Sequence, residues 1–184
     1  HMEIAKSIIN QNLIKKLFLI VVGSFILTLS AKFKIPFYPV PMTMQTFVVL
    51  FLGISFGYKI AFATVSLYLL EGIFGLPVFS NSPEKGVGLV YFTGPTMGYL
   101  IGFLFSAFMA GYLDLEKNIV LIFLKLCLSV SIIYIFGMLW LGTLIGWDKP
   151  IFDLGAKPFL LAELFKILIL TLITKKIVKI RNFI

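Results

Sequence analysis

From residue 13 to residue 178 the chain repeats one pattern, a long apolar run followed by a short polar or proline-rich break. A hydrocarbon core of roughly 30 Å is crossed by about 20 apolar residues in a helix. Six runs answer to that demand: 13–33, 43–57, 59–75, 94–113, 119–145 and 158–178. The predicted fold class is an all-α membrane protein, one domain of six transmembrane helices over residues 1–184. Residues 1–11 are expected to form a short polar cap at the membrane surface, and His1-Met2 reads as a tag remnant. The first run exceeds a signal-peptide core and lacks a small-residue cleavage pattern, so it is expected to be retained.

The breaks predict the joints. Pro36, Pro39 and Pro41 specify an extended loop rather than helix. Thr43 is the expected N-cap of the second helix. Gly57-Tyr58-Lys59 is the corner into the third, and Pro95 suits the first position of the fourth. Residues 72–103 break the pattern hardest, with Pro77, Pro83 and Pro95 among many glycines. Such a stretch cannot be one simple helix. At membrane depth irregular backbone survives where it is buried in protein or lines a cavity, so this segment is expected to roof a small-molecule site.

Composition adds to this picture by exclusion. The chain is 60% hydrophobic and 13% charged, where soluble domains carry roughly a quarter charged residues. Its net charge of +8 does not point to nucleic acid, because the lysines fall between the apolar runs. By the positive-inside rule, Lys6, Lys15, Lys16, Lys59, Lys117, Lys175, Lys176, Lys179 and Arg181 place both termini in the cytoplasm. The loops 35–42, 76–93 and 146–157 are then external. His1 is the only histidine and Cys127 the only cysteine, so no metal site and no intrachain disulfide are expected. Walker A and GxSxG sequences are missing, so ATP hydrolysis by this chain is not expected.

Ionisable groups inside a membrane are costly and become functional candidates by default. Four qualify: Glu71, Lys125, Glu163 and Lys166. Glu163 and Lys166 are three apart on the last helix and share a face. They read either as an ion pair near a helix start or as a polar clamp for a ligand. Glu71 either joins that site as an accessory group or lies at the interface, and Lys125 is expected to snorkel toward the cytoplasmic surface. The amide of Gln45, between Thr43 and Thr46, either reaches a ligand or bonds between helices. Ser24 and Thr28 give the first helix a small-residue face that either packs within the chain or meets a partner.

The segments AKFKIPFYPVPMTMQTF (31–47), GIFGLPVFSN (72–81) and GPTMGYLIGF (94–103), in this order, resemble the biotin transporter family BioY. PFLLAELFK (158–166) resembles that family's final-helix motif. The resemblance implies a substrate-binding S component of an energy-coupling factor (ECF) transporter, an ABC-type vitamin importer of the bacterial cytoplasmic membrane. It implies biotin capture at the external face beneath the 76–93 loop, with energy from a separate transmembrane T component and two ATPase subunits. No cofactor, no enzymatic activity and no nucleic-acid partner are implied.

The implied ligand contacts are Glu163, standing where the family usually has aspartate, with Lys166, Asn81, Tyr91, Gln45, Phe79 and Tyr99. Ser24 and Thr28 are implied contacts of the T component. Two rivals remain at this point: an S component for another vitamin such as thiamine, and a small intramembrane enzyme acting on lipid through Glu163 and Lys166.

Overall fold

The computed structural model describes residues 2–115 and 118–184, with side chains from residue 11 onward. His1 and Lys117 lie outside the described residues, and with them part of the expected tag remnant and one topology lysine. The helices are α1 (Met2–Lys32), α2 (Gln45–Ile73), α3 (Met97–Tyr112), α4 (Ile119–Ile145), the short α5 (Ile151–Gly155) and α6 (Leu160–Ile177). Single 3-10 segments cover Gly88–Thr93, Lys157–Phe159 and Val178–Phe183. Three helical stretches, Gln11–Lys32, Gln45–Ile73 and Ile119–Ile145, are long and apolar enough to cross a membrane, and Met97–Tyr112 is a shorter apolar helix.

The break inside α2 organises the bundle. Gly57 sits at φ 78° and ψ 168°, a conformation only glycine adopts without strain, and it divides α2 into two unequal rods. A broken helix leaves carbonyls without partners, which is costly away from water. Arg181, from the C-terminal 3-10 segment, meets this demand. Its Nη2 donates to Gly53 O at 3.1 Å and its Nε to Ile54 O at 2.7 Å. The chain's end is thereby tied to its first re-entry. The first rod is only about 12 residues, roughly 18 Å at 1.5 Å per residue. The loop ahead of it must therefore dip toward the membrane interior.

Around this frame α3 packs on α2 and α4, while α1 packs mainly on α2. Apolar side chains cover both the inside and the outside. Leu50, Leu126 and Leu170 are fully buried, whereas Ile14, Phe18, Phe25, Phe165 and Leu172 lie exposed on the helix flanks. Exposure of this kind is incompatible with water over so much surface and is the surface a lipid solvent requires. Four buried hydroxyls are satisfied within their own helices: Ser55, Thr64, Thr171 and Thr174 each donate to the carbonyl four residues earlier.

Several joints differ from expectation. The first helix starts at Met2, without a separate cap before residue 13. Thr43 belongs to a two-residue strand, β2 (Met42–Thr43), paired with β1 (Lys34–Ile35) in the register Lys34↔Thr43 and Ile35↔Met42. Its hydroxyl still accepts from the Gln45 N–H at 3.2 Å, one residue later than a cap at Thr43 would place the helix. Pro95 precedes the N-cap Thr96 and lies outside α3. The first half of the 35–43 loop is extended as its prolines dictate.

Candidate functional site

A partly open cavity lies between the first rod of α2, α3, α4 and α6, beneath the 36–43 loop and the 76–93 segment. Its empty space, the open solvent at its mouth included, is about 520 Å³. Most of its wall is apolar or aromatic: Val40, Tyr99, Leu100, Phe103, Ile133, Tyr134 and Phe159. Its polar groups are few and converge from separate elements: Thr43, Gln45, Thr46, Ser80, Tyr91, Thr96, Glu163 and Lys166.

Glu163 and Lys166 form the charged end. Both are buried, at 5% and 7% exposure, and their side chains meet at 2.9 Å across one helical turn. Lys166 Nζ also donates to Thr43 O at 2.7 Å and Thr46 Oγ1 at 3.0 Å. An ammonium has three donors, so these three contacts use all of them. Thr46 passes its own proton to Glu163 Oε1 at 2.7 Å. Glu163 Oε1 is thus doubly bonded, while Oε2 is buried with no hydrogen-bond partner among the described residues. The Tyr134 hydroxyl is close enough to this carboxylate to interact by charge and by hydrogen bonding, short of a well-formed hydrogen bond to Oε2. An ionised oxygen that is buried and unpaired is a costly feature unless something arrives to donate to it.

Gln45 is held on both sides. Its Nε2 donates to Tyr68 Oη at 2.7 Å and its Oε1 accepts from Thr43 Oγ1 at 3.3 Å. Tyr68, wholly buried, donates onward to Val78 O at 2.9 Å, which ties the α2 start to the base of the 76–93 segment. An amide has two N–H groups and two acceptor lone pairs, so Gln45 keeps one of each for the cavity. Tyr99 donates to Gly155 O at 2.7 Å and presents its ring, edge to face with Tyr134 at 6.1 Å. Tyr91 reaches the cavity from the roof, and its hydroxyl lies 3.3 Å from Ser80 Oγ and accepts from the Asn81 N–H at 3.3 Å.

Of the residues the sequence singled out, Glu163, Lys166, Gln45, Tyr91 and Tyr99 are brought to this one cavity, and Asn81, Phe79 and Glu71 are not. Asn81 turns away, its Oδ1 accepting from Lys34 Nζ at 3.2 Å. Phe79 is core: its ring lies over Gly72, where a Cβ would come within 2.1 Å of it, and it stacks on Tyr91 at 4.7 Å. A residue here other than glycine would evict the ring, so Phe79 supports the roof from behind. Glu71 accepts from Ser24 Oγ at 2.5 Å, a pairing of α1 with α2 away from the cavity. Ser24, 1% exposed, therefore faces inward and offers no surface to a partner in this conformation, while Thr28 is half-buried and donates to Ser24 O at 3.1 Å. Lys125 reaches the carbonyl of Asp114, toward the α3–α4 turn as snorkelling requires.

Cavity residues without a strong sequence signal are Ser80, Thr96, Tyr134, Phe103, Ile133 and Phe159. Thr43 and Thr46 stood out only as neighbours of Gln45. The hydrogen-bond chain from Lys166 through Thr46 to Glu163 joins the start of α2 to α6, elements far apart in sequence, so no local pattern announces it.

The model of the BioY family matches residues 3–183. The "Biotin transporter BioY" of Thermotoga maritima is 35% identical over 163 residues, covering 88% of this chain and 90% of that one. The "Probable biotin transporter BioY" of Pyrococcus horikoshii is 32% identical over 139 residues, 76% of this chain and 81% of the other. Among solved structures, an S-component for biotin from an ECF-type ABC transporter shares the fold, with a TM-score of 0.76 at 22% identity and coverage of 92% and 94%.

Proposed function

The chain belongs to the BioY family, and from that premise we propose that it binds biotin in the Glu163 cavity as the S component of an ECF-type vitamin importer. The observation that carries the reading is the buried, unpaired Glu163 Oε2. Biotin's bicyclic head bears two ureido N–H donors beside a carbonyl, a thioether and an aliphatic tail ending in a carboxylate. A ureido N–H meets the need of Oε2, and the free donor and acceptor of Gln45 suit the other edge of the head. The aromatic wall of Tyr91, Tyr99, Tyr134 and Phe159 suits the ring and chain.

Lys166 acts on the carboxylate and not on the tail of biotin. Its three donors are already engaged, so it occupies Glu163 Oε1 and leaves Oε2 for the ligand. The 76–93 segment covers the cavity with Ser80 and Tyr91 and acts as its roof. Capture occurs at the external face of a bacterial cytoplasmic membrane, with both chain termini in the cytoplasm. The energy for release inward comes from a T component and two ATPase subunits, and this chain performs no catalysis itself. Residues 1–184 act as one six-span domain in which the two rods of α2 count as two spans.

Neither rival is favoured. A lipid-acting enzyme needs its acid and base free to work on a substrate, and here both are buried and paired with each other. A thiamine site must balance a cation, whereas the one carboxylate in this cavity is already paired with a lysine. Calorimetric titration of the detergent-purified chain should give saturable heat with biotin and none with thiamine. Heat with thiamine and none with biotin would reverse the assignment.

A further inference from the structure

The roof segment turns sharply at residues 79–82, and its carbonyls there point away from the cavity toward the outer end of α1. Two lysines receive them. Lys32, the last residue of α1, donates from Nζ to Phe79 O at 2.8 Å and to Ser82 O at 2.7 Å. Lys34, in β1, donates to Ser80 O at 2.6 Å and to Asn81 Oδ1 at 3.2 Å, with Glu84 4.0 Å away. Four consecutive residues of the roof are thus gripped by two ammonium groups from another element. Hydrogen bonds from a charged donor are the stronger kind.

The gripped residues are the ones that shape the cavity. Ser80 lines it, Asn81 positions the Tyr91 hydroxyl through its backbone N–H, and Phe79 backs the Tyr91 ring. Within the segment itself, further bonds run from Val78 N to Leu76 O, Ser82 N to Phe79 O, Lys85 N to Asn81 O, Gly86 N to Pro83 O and the Ser82 hydroxyl to Gly86 O, and none of these ties the segment to α1. Neither lysine side chain bonds Glu163 or Lys166, although both line a lateral groove that Lys166 shares, and the Lys34 backbone pairs with Thr43.

We infer that Lys32 and Lys34 are positioning residues of the site: an ammonium latch that holds the roof closed and fastens it to the end of α1. This inference rests on the biotin-binding reading only for its ligand arm. Its consequence is mechanical. Anything that shifts the outer end of α1 also shifts the roof, so α1 is the handle by which the site is opened. From residue 13 onward α1 carries exposed apolar side chains, with Leu13, Phe18 and Phe25 more than half exposed, so a neighbour in the membrane can reach this handle.

The test compares the intact chain with Lys32→Met/Lys34→Met, which keeps the aliphatic stems and removes the donors. In the ligand-free protein, amide hydrogen exchange over residues 78–86 should rise at least about tenfold, the scale of one lost charged hydrogen bond, while exchange in α3 stays unchanged. Labelled biotin should dissociate at least about tenfold faster, with a smaller change in association rate, because a latch acts on the closed state. Lys34→Met alone should move both readouts in the same direction by less, which covers the case of a double variant that does not fold. Unchanged exchange at 78–86 in a folded variant would overturn the latch. An intact chain that ignores biotin would count against the functional reading alone, since the exchange arm uses no ligand.

Discussion

Replacing Lys166 with Met should remove about 3–5 kcal/mol of stability and all measurable biotin binding, the largest stability effect expected of any single side chain here. The reason is the asymmetry of buried pairs. Glu163 is 5% exposed and its Oε1 is stabilised by the lysine and by Thr46, which the lysine also holds. Methionine fills the same volume and leaves the carboxylate as an uncompensated buried charge. It also frees Thr43 O and so loosens the start of α2. Thermal unfolding in detergent reads the effect directly. The double variant Glu163→Gln/Lys166→Met should recover part of the loss, because it removes both charges. A single variant as stable as the unaltered chain would show that the pair carries no buried charge.

Glu163→Gln should leave the chain folded and weaken biotin binding by about 30- to 1,000-fold, the range of two to four kcal/mol for truncating one partner of a buried charged contact. Glutamine has the shape of the native side chain but one end of its amide is a donor. With its NH2 facing the cavity, it opposes a ureido N–H, donor against donor. With its NH2 turned inward, it opposes the Lys166 ammonium and the Thr46 proton. Neither orientation reproduces a carboxylate that accepts on both oxygens. Isothermal titration of the variant measures the loss, and undiminished affinity would take Glu163 out of the site.

The sequence made some of this legible and hid the rest for definite reasons. Glu163 and Lys166 stood out because charge inside an apolar run has few bland explanations, and their spacing put them on one face. Gln45 was visible as a polar amide just inside an apolar run. The proline and glycine segment marked where the roof would be, but not which of its side chains point inward. In irregular backbone no period predicts that, and Ser80 took the inward place while Asn81 and Phe79 turned outward and back.

Tyr134, Ile133 and Phe159 were hidden differently. A helix such as α4 is apolar on every side, because lipid outside and cavity inside ask for similar residues. Without an amphipathic stripe the inward face cannot be read. Ser24 shows the same ambiguity: small residues permit close packing within the chain or against a partner, and here the serine meets Glu71 inside. The fold fared better than the site. Apolar run lengths and the glycine at the α2 break carry the architecture, and Arg181, a charge in the C-terminal tail, became intelligible only once the carbonyls of Gly53 and Ile54 were seen to need it.

The most direct test of the central claim, that Glu163 Oε2 waits for a ureido N–H, is displacement of labelled biotin by an analogue methylated on the ureido nitrogens. Methylation removes the donors and leaves the rest of the molecule intact. The account predicts that the analogue displaces biotin at least about a hundredfold more weakly, as loss of a hydrogen bond to a buried charge implies. An analogue that competes as well as biotin itself would contradict it.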